Sequence, residues 1–146
     1  NSGEEKESYF IDLASNDAIQ LSNTYQLEKE GGWDGLCIEP NPIYWYRLSH
    51  RKCTVAAAFV GGSSDSQEVD VSLTNEEYGG IIGNDMDNTK DDSTTNKNKH
   101  DTVANNNNNN KDRYSEKRYT VSLNTVLTKF RVPHNIDYMS LDVEGG

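Results

Sequence analysis

Carboxylates gather at three places where an apolar run of this chain gives way to polar residues. The first is Asp12-Leu13-Ala14-Ser15-Asn16-Asp17-Ala18, the second is Glu39 with Pro40-Asn41-Pro42 behind it, and the third is Asp142-Val143-Glu144. An acid at the end of a second strand is what nucleotide-binding α/β sheets use to accept hydrogen bonds from ribose hydroxyls. Glu39 lies 23 residues beyond Asn16, close to the roughly 20 of that arrangement. The competing reading is that Glu39 merely ends a strand in solvent. Asp142 and Glu144 are two apart, so on an extended chain both face the same side. Either could take a proton from a hydroxyl or orient an acceptor; the alternative is a hydrogen bond to a backbone turn. A magnesium site made by this pair is the weaker option, and no metal is expected.

The loop after the first run separates ligand classes. It lacks G-x-G-x-x-G, and Ala14 and Ala18 stand where glycines would let a backbone approach a diphosphate. S-adenosylmethionine carries no phosphate, and its sulfonium and ammonium groups favour nearby acids. Asp12 and Asp17 suit that cofactor better than they suit NAD, which argues against an NAD-dependent oxidoreductase. The histidines add nothing: His50, His100 and His134 have no partner set by spacing and read as surface residues.

These residues need a sheet to bring them together. Tyr9 to Ala14 is a short apolar run of the kind a buried parallel strand shows. Ala18, Leu21 and Tyr25 recur at helical spacing, and Gly31-Gly32 closes that helix. Gly35 to Glu39 is a second strand, and Asn41-Pro42 opens a second helix, with Asn as N-cap and Pro at its first position. Tyr44 and Leu48 can share its buried face. The Tyr44-Trp45-Tyr46 run reads as core packing rather than a stacking platform. Thr54 to Val60 is a third strand, Gln67 to Leu73 an extra strand or hairpin arm, and Tyr119 to Leu123 is extended. Asn124 to Phe130 is a short helix ended before Pro133, and Ile136 to Glu144 is a last strand. Alternating strands and helices of this kind form a parallel sheet, with ligands beyond the C-terminal strand ends.

At 146 residues the chain holds one domain. Residues 1–8 read as a polar lead-in, 9–146 as the domain, and 83–113 as a low-complexity insert within it. That insert carries six consecutive asparagines, Asn105 to Asn110, and too few apolar residues to offset its ordering entropy, so it reads as a disordered surface loop. The start at Asn1 and the close on Gly145-Gly146 read as cut ends. A net charge of -10 speaks against nucleic-acid binding. Arg47 to Lys52, the densest basic patch, sits at a helix end, where it complements the dipole. No apolar run is long enough to span a membrane. Cys37 and Cys53 belong to no metal-binding cluster. Cys37 reads by default as a small buried hydrophobe; a bond between the two is compatible with the sequence, but nothing requires it.

Two segments carry a resemblance. "YFIDLASNDAIQLSNTYQLEKEGGWDGLCIEPNPIYW" and "VSLNTVLTKFRVPHNIDYMSLDVEGG" resemble the two hallmarks of FkbM-type methyltransferases, and in particular the Star-like branch. Together they cover about half of the chain, in the expected order. The resemblance implies an α/β fold, a Rossmann-like three-layer sandwich with a mostly parallel sheet, incomplete at the C-terminal end of this sequence. It implies that the Asp12 to Ala18 loop, with Ala14, Asn16 and Asp17, cradles the methionine part of S-adenosylmethionine. Glu39 would hold the ribose, Asn41 would lie close to the adenosine, and Asp142 and Glu144 would lie beside the transferred methyl group. Ala14 and Ala18 replace glycines common in the family, and Gly146 stands where alanine is more usual. The implied activity is O-methylation of a hydroxyl on a carbohydrate or small metabolite. The alternative is an inactive methyltransferase-fold scaffold in secretory-pathway trafficking. The cytoplasm is the favoured compartment, the secretory pathway the second. Oligomeric state is not indicated.

Overall fold

Alternation along two short strands builds the centre of the molecule. In β1 (Tyr9–Leu13), Phe10 faces one side and Ile11 the other, and in β2 (Asp34–Ile38), Cys37 faces the first side while Leu36 and Ile38 face the second. All of these side chains are buried, as in a parallel sheet covered on both faces. The computed structural model describes residues 8–72, 80–81 and 115–142. The insert read at 83–113, Glu144, and all of the lead-in except Ser8 lie outside the described residues.

The first sheet has the order β3-β2-β1-β8, with β3 at Thr54–Ala56 and β8 at Tyr138–Leu141, and every pairing in it is parallel. One face carries α1 (Tyr25–Gly31) and α2 (Trp45–Leu48) over a core of Phe10, Ala18, Cys37, Leu48 and Cys53. The other carries α3 (Leu123–Lys129) over Ile11, Leu36, Ile38, Ala56 and Val126. Helix, sheet and helix make the expected three layers of a Rossmann-like α/β fold. A second sheet has the order β4-β7-β5-β6, from Phe59–Val60, Ser115–Val121, Glu68–Ser72 and Gly80–Ile81. Its β4–β7 pair is parallel, and β5 runs antiparallel to both β6 and β7.

Several local readings hold. Asn41 caps the 3-10 turn Pro42–Tyr44 that leads into α2, its side chain accepting the Ile43 N–H. Gly32 closes α1 at φ 67°, where an L side chain would be strained. The short helix read from Asn124 is present as α3, which starts one residue earlier at Leu123, with Ser122 as its cap through the Thr125 N–H.

Three readings change. The helix expected from Ala18 begins only at Tyr25. Asp17 takes the N–H groups of Ile19 and Gln20, and Ser22 takes those of Thr24 and Tyr25. Such side-chain bonds offer the backbone an alternative to helix; Ala18 is buried in the core all the same, and Leu21 is exposed. The run Thr54 to Val60 is two strands in two sheets, because β3 pairs with β2 while Phe59 and Val60 pair with Thr120 and Val121. Of the three adjacent aromatics only Tyr44 packs against the core; Trp45 is partly exposed and Tyr46 largely so.

Candidate functional site

The strand order turns at β1: the chain moves outward through β2 and β3 on one side and returns as β8 on the other. A crevice beyond the C-terminal strand ends at such a switch point is where open α/β sheets bind ligands. Asp12, Glu39 and Asp142 all come from the ends of these three neighbouring strands.

Glu39 organises the loops at these strand ends. It is 4 % exposed, and its two carboxylate oxygens divide between two loops. Oε2 accepts the Asn16 N–H at 2.8 Å and Oε1 accepts the Asn41 N–H at 2.7 Å. Trp45 Nε1 donates to the Glu39 carbonyl at 2.8 Å, which fixes its backbone too. The structure thus brings Asn16, Glu39 and Asn41 together. Burial pushes the Glu39 carboxyl above the ordinary carboxylate range; the two N–H groups oppose this and the Asp12 charge adds to it. An ionised carboxylate has about four lone-pair sites, so acceptor capacity remains beyond these two bonds. Beside it, Asn16 Oδ1 is buried and is the sole such side-chain atom without a hydrogen-bond partner among the described residues. A buried acceptor of this kind wants a donor.

The loop reaches this shape through left-handed backbone at Ala14 (φ 59°) and Asn16 (φ 49°). Asparagine tolerates that region and alanine does not. Ala14→Gly is therefore expected to stabilise the fold by about 0.5–1 kcal/mol after glycine's extra unfolded-state entropy is subtracted. A fall in the chemical-denaturation midpoint would contradict the backbone assigned here.

Asp12 points into the molecule. It is 2 % exposed, and its carboxylate accepts the Thr24 hydroxyl at 2.6 Å, with Ser140 supplying a further hydrogen bond. Burial raises its pKa; the Thr24 bond, the Arg51 charge and the Ser140 bond oppose that, and the charge of Asp142 reinforces it. Asn23 Nδ2 donates to Ser140 Oγ at 3.0 Å, tying the loop ahead of α1 to β8. Thr24 in turn accepts from Arg51 Nη2, and Arg51 also reaches Ser22 Oγ and Glu28. The basic patch read as a helix-end feature is corrected at this point. Arg47 and Lys52 are exposed ion-pair partners of Asp17 and Asp34, but Arg51 is buried against Glu28.

Asp17 is engaged within its own loop and with Arg47. Its carboxylate holds two loop N–H groups and the Arg47 guanidinium, and the Ile19 N–H is the main reason its pKa falls. Asp142 continues the β1–β8 ladder, its N–H donating to the Leu13 carbonyl, so it stands level with the start of the first loop. Among the described residues there is no cluster of metal-ligating side chains, and no helix is long and apolar enough to cross a membrane. Sequence reasoning missed Asn23, Thr24, Arg51 and Ser140, all tied to Asp12 through space. Thr24 carried the one available signal, a hydroxyl just ahead of a helix, yet it serves Asp12 rather than the helix end.

No curated protein and no solved structure matches this chain. The family model for the methyltransferase FkbM domain matches residues 12–146, which spans Asp12, Glu39 and Asp142 alike, and the chain belongs to that family.

Proposed function

We propose that this chain binds S-adenosylmethionine at the ends of β1, β2 and β8, and transfers its methyl group to a hydroxyl of a carbohydrate or small metabolite. The observation that carries the reading is the cradle of Asn16, Glu39 and Asn41, with its unanswered acceptor at Asn16 Oδ1. Glu39 would accept from ribose hydroxyls with its remaining lone pairs, and Asn41 would border the adenosine. The loop from Asp12 to Ala18, through Ala14, Asn16 and Asp17, would surround the methionine part. The residues fit a cation rather than a diphosphate: three acids end neighbouring strands, and each of Asp12 and Glu39 already feels another's negative charge. When bound, the cofactor supplies an electrophilic methyl group on sulfur. Asp142, or Glu144 two residues on in the sequence, would take the acceptor's proton or orient its oxygen.

Calorimetric titration with S-adenosylhomocysteine, with NAD as control, tests the site. Saturable binding of S-adenosylhomocysteine alone is expected; a folded protein that binds neither would end the reading. Glu39→Ala should weaken that binding about tenfold or more while leaving the protein folded, since a hydrogen bond to a charged group contributes about 1.5–3 kcal/mol. Unchanged affinity would remove Glu39 from the site.

The raised pKa values of Asp12 and Glu39 give a pH test. A cationic ligand favours the ionised carboxylates, so binding expels protons. Affinity for S-adenosylmethionine should rise with pH above the ordinary carboxylate values of about 4 and level off once both groups are ionised. The unliganded fold follows the opposite sign. Carboxyls whose pKa is raised by folding contribute stability below their unfolded values and lose it as pH rises through the folded ones. Affinity that stays flat across this range would show that neither carboxyl faces the ligand's charge.

A further inference from the structure

Cys37 and Cys53 form a disulfide through the core of the first sheet. Cys37 lies on β2 opposite Asp12 of β1, and Cys53 immediately precedes β3. Their Cα atoms are 6.1 Å apart, inside the range that a disulfide spans without moving backbone. The chain has two cysteines, and the bond uses both. Phe10, Ala18 and Leu48 pack around them, and neither residue is open to solvent. A bond so enclosed is out of reach of dissolved thiols in the folded protein, which makes it structural rather than a switch.

Other contacts bring the two sulfurs together. The Glu28 carboxylate accepts the N–H groups of Lys52 and Cys53, and Arg51 is fastened to the same carboxylate. The fold therefore presents the thiols to each other at bonding distance whenever an oxidant is at hand. The cytosol keeps thiols reduced, while secretory lumens and the cell exterior do not.

We infer that this domain matures and works in an oxidising compartment, where the Cys37–Cys53 bond forms as it folds. The two thiols give up two protons and two electrons to the disulfide of a thiol–disulfide oxidoreductase, which leaves as a dithiol. The cytoplasmic expectation gives way to the oxidising one. The methyl acceptor is then a hydroxyl-bearing molecule exposed in that compartment, a glycan or other secreted or lumenal compound; this last step rests on the methyl-transfer reading proposed above.

The test uses the full-length protein in the cells that make it. Cells are quenched in acid, and free thiols are blocked with N-ethylmaleimide in denaturant. Disulfides are then reduced and labelled with a heavier maleimide, and the peptides holding Cys37 and Cys53 are weighed. The heavier label on both is expected, together with recovery of the protein in a membrane-enclosed or extracellular fraction. N-ethylmaleimide on both, or recovery in the cytosol, overturns the inference. Titration of the same protein with S-adenosylhomocysteine separates the two readings: bonded cysteines without cofactor binding would keep the compartment and overturn the acceptor assignment.

Discussion

Replacing Arg51 with methionine is expected to remove about 3–5 kcal/mol of unfolding free energy, measured by urea denaturation at neutral pH. That is a large share of the roughly 5–15 kcal/mol a domain possesses. The size follows from what is left behind. The Arg51 side chain is 2 % exposed and that of Glu28 8 %, so removing the guanidinium strands a carboxylate away from water. The same guanidinium serves Thr24 and Ser22, and lies 5.7 Å from the ring centres of both Phe10 and Tyr25. Methionine fits the rings but answers none of the oxygens. Arg51→Lys should recover only part of the loss, because one ammonium cannot reproduce a planar fork. Removing Glu28 as well would not restore the wild type, since the N–H groups of Lys52 and Cys53 would lose their acceptor. A loss below about 1 kcal/mol, the range of exposed pairs, would mean that the pair is solvated.

The double substitution Cys37→Ala, Cys53→Ala should cost about 3 kcal/mol, the chain-entropy value for a closed loop of this size. The two residues are 16 apart in sequence. The loss should appear mainly as a more favourable unfolded state, so the spectroscopic signature of the native fold should persist. A double variant as stable as the wild type would show that the two residues act as small hydrophobes alone. The two substitutions are close in space, both touching the segment that Glu28 holds, so combining Arg51→Met with the alanines should give a non-additive loss.

Much of the fold was legible because its signals are local. The apolar runs of β1 and β2, the Asn41-Pro42 helix start and the Gly32 helix stop each depend on a few adjacent residues. Glu39 was legible as a candidate because its place after β2 is a matter of pattern. The misreadings all involve partners distant in sequence or competition that periodicity ignores. Ala18 and Leu21 have helical spacing, but Asp17 and Ser22 claim the N–H groups a helix would need. The break between β3 and β4 is set by β7, some 60 residues on, which no local pattern announces. Arg51 looked like one of several surface cations because Glu28 and Thr24 meet it only once β1, β2 and β3 have paired.

The bond from Trp45 to the Glu39 carbonyl has an optical consequence. The chain has two tryptophans, Trp33 and Trp45. Trp33 packs half-buried beside Leu27 and the core, while Trp45 donates its indole N–H to the carbonyl of Glu39, the residue that ties the strand-end loops together. Indole emission responds to the polarity and hydrogen bonding around the ring, so Trp45 reports on that residue and Trp33 supplies background. In a Trp33→Phe protein the remaining tryptophan emission comes from Trp45 alone. Ligand arrival and departure could then be followed on the millisecond scale by stopped flow, with no dye, no radioactive methyl group and no knowledge of the acceptor.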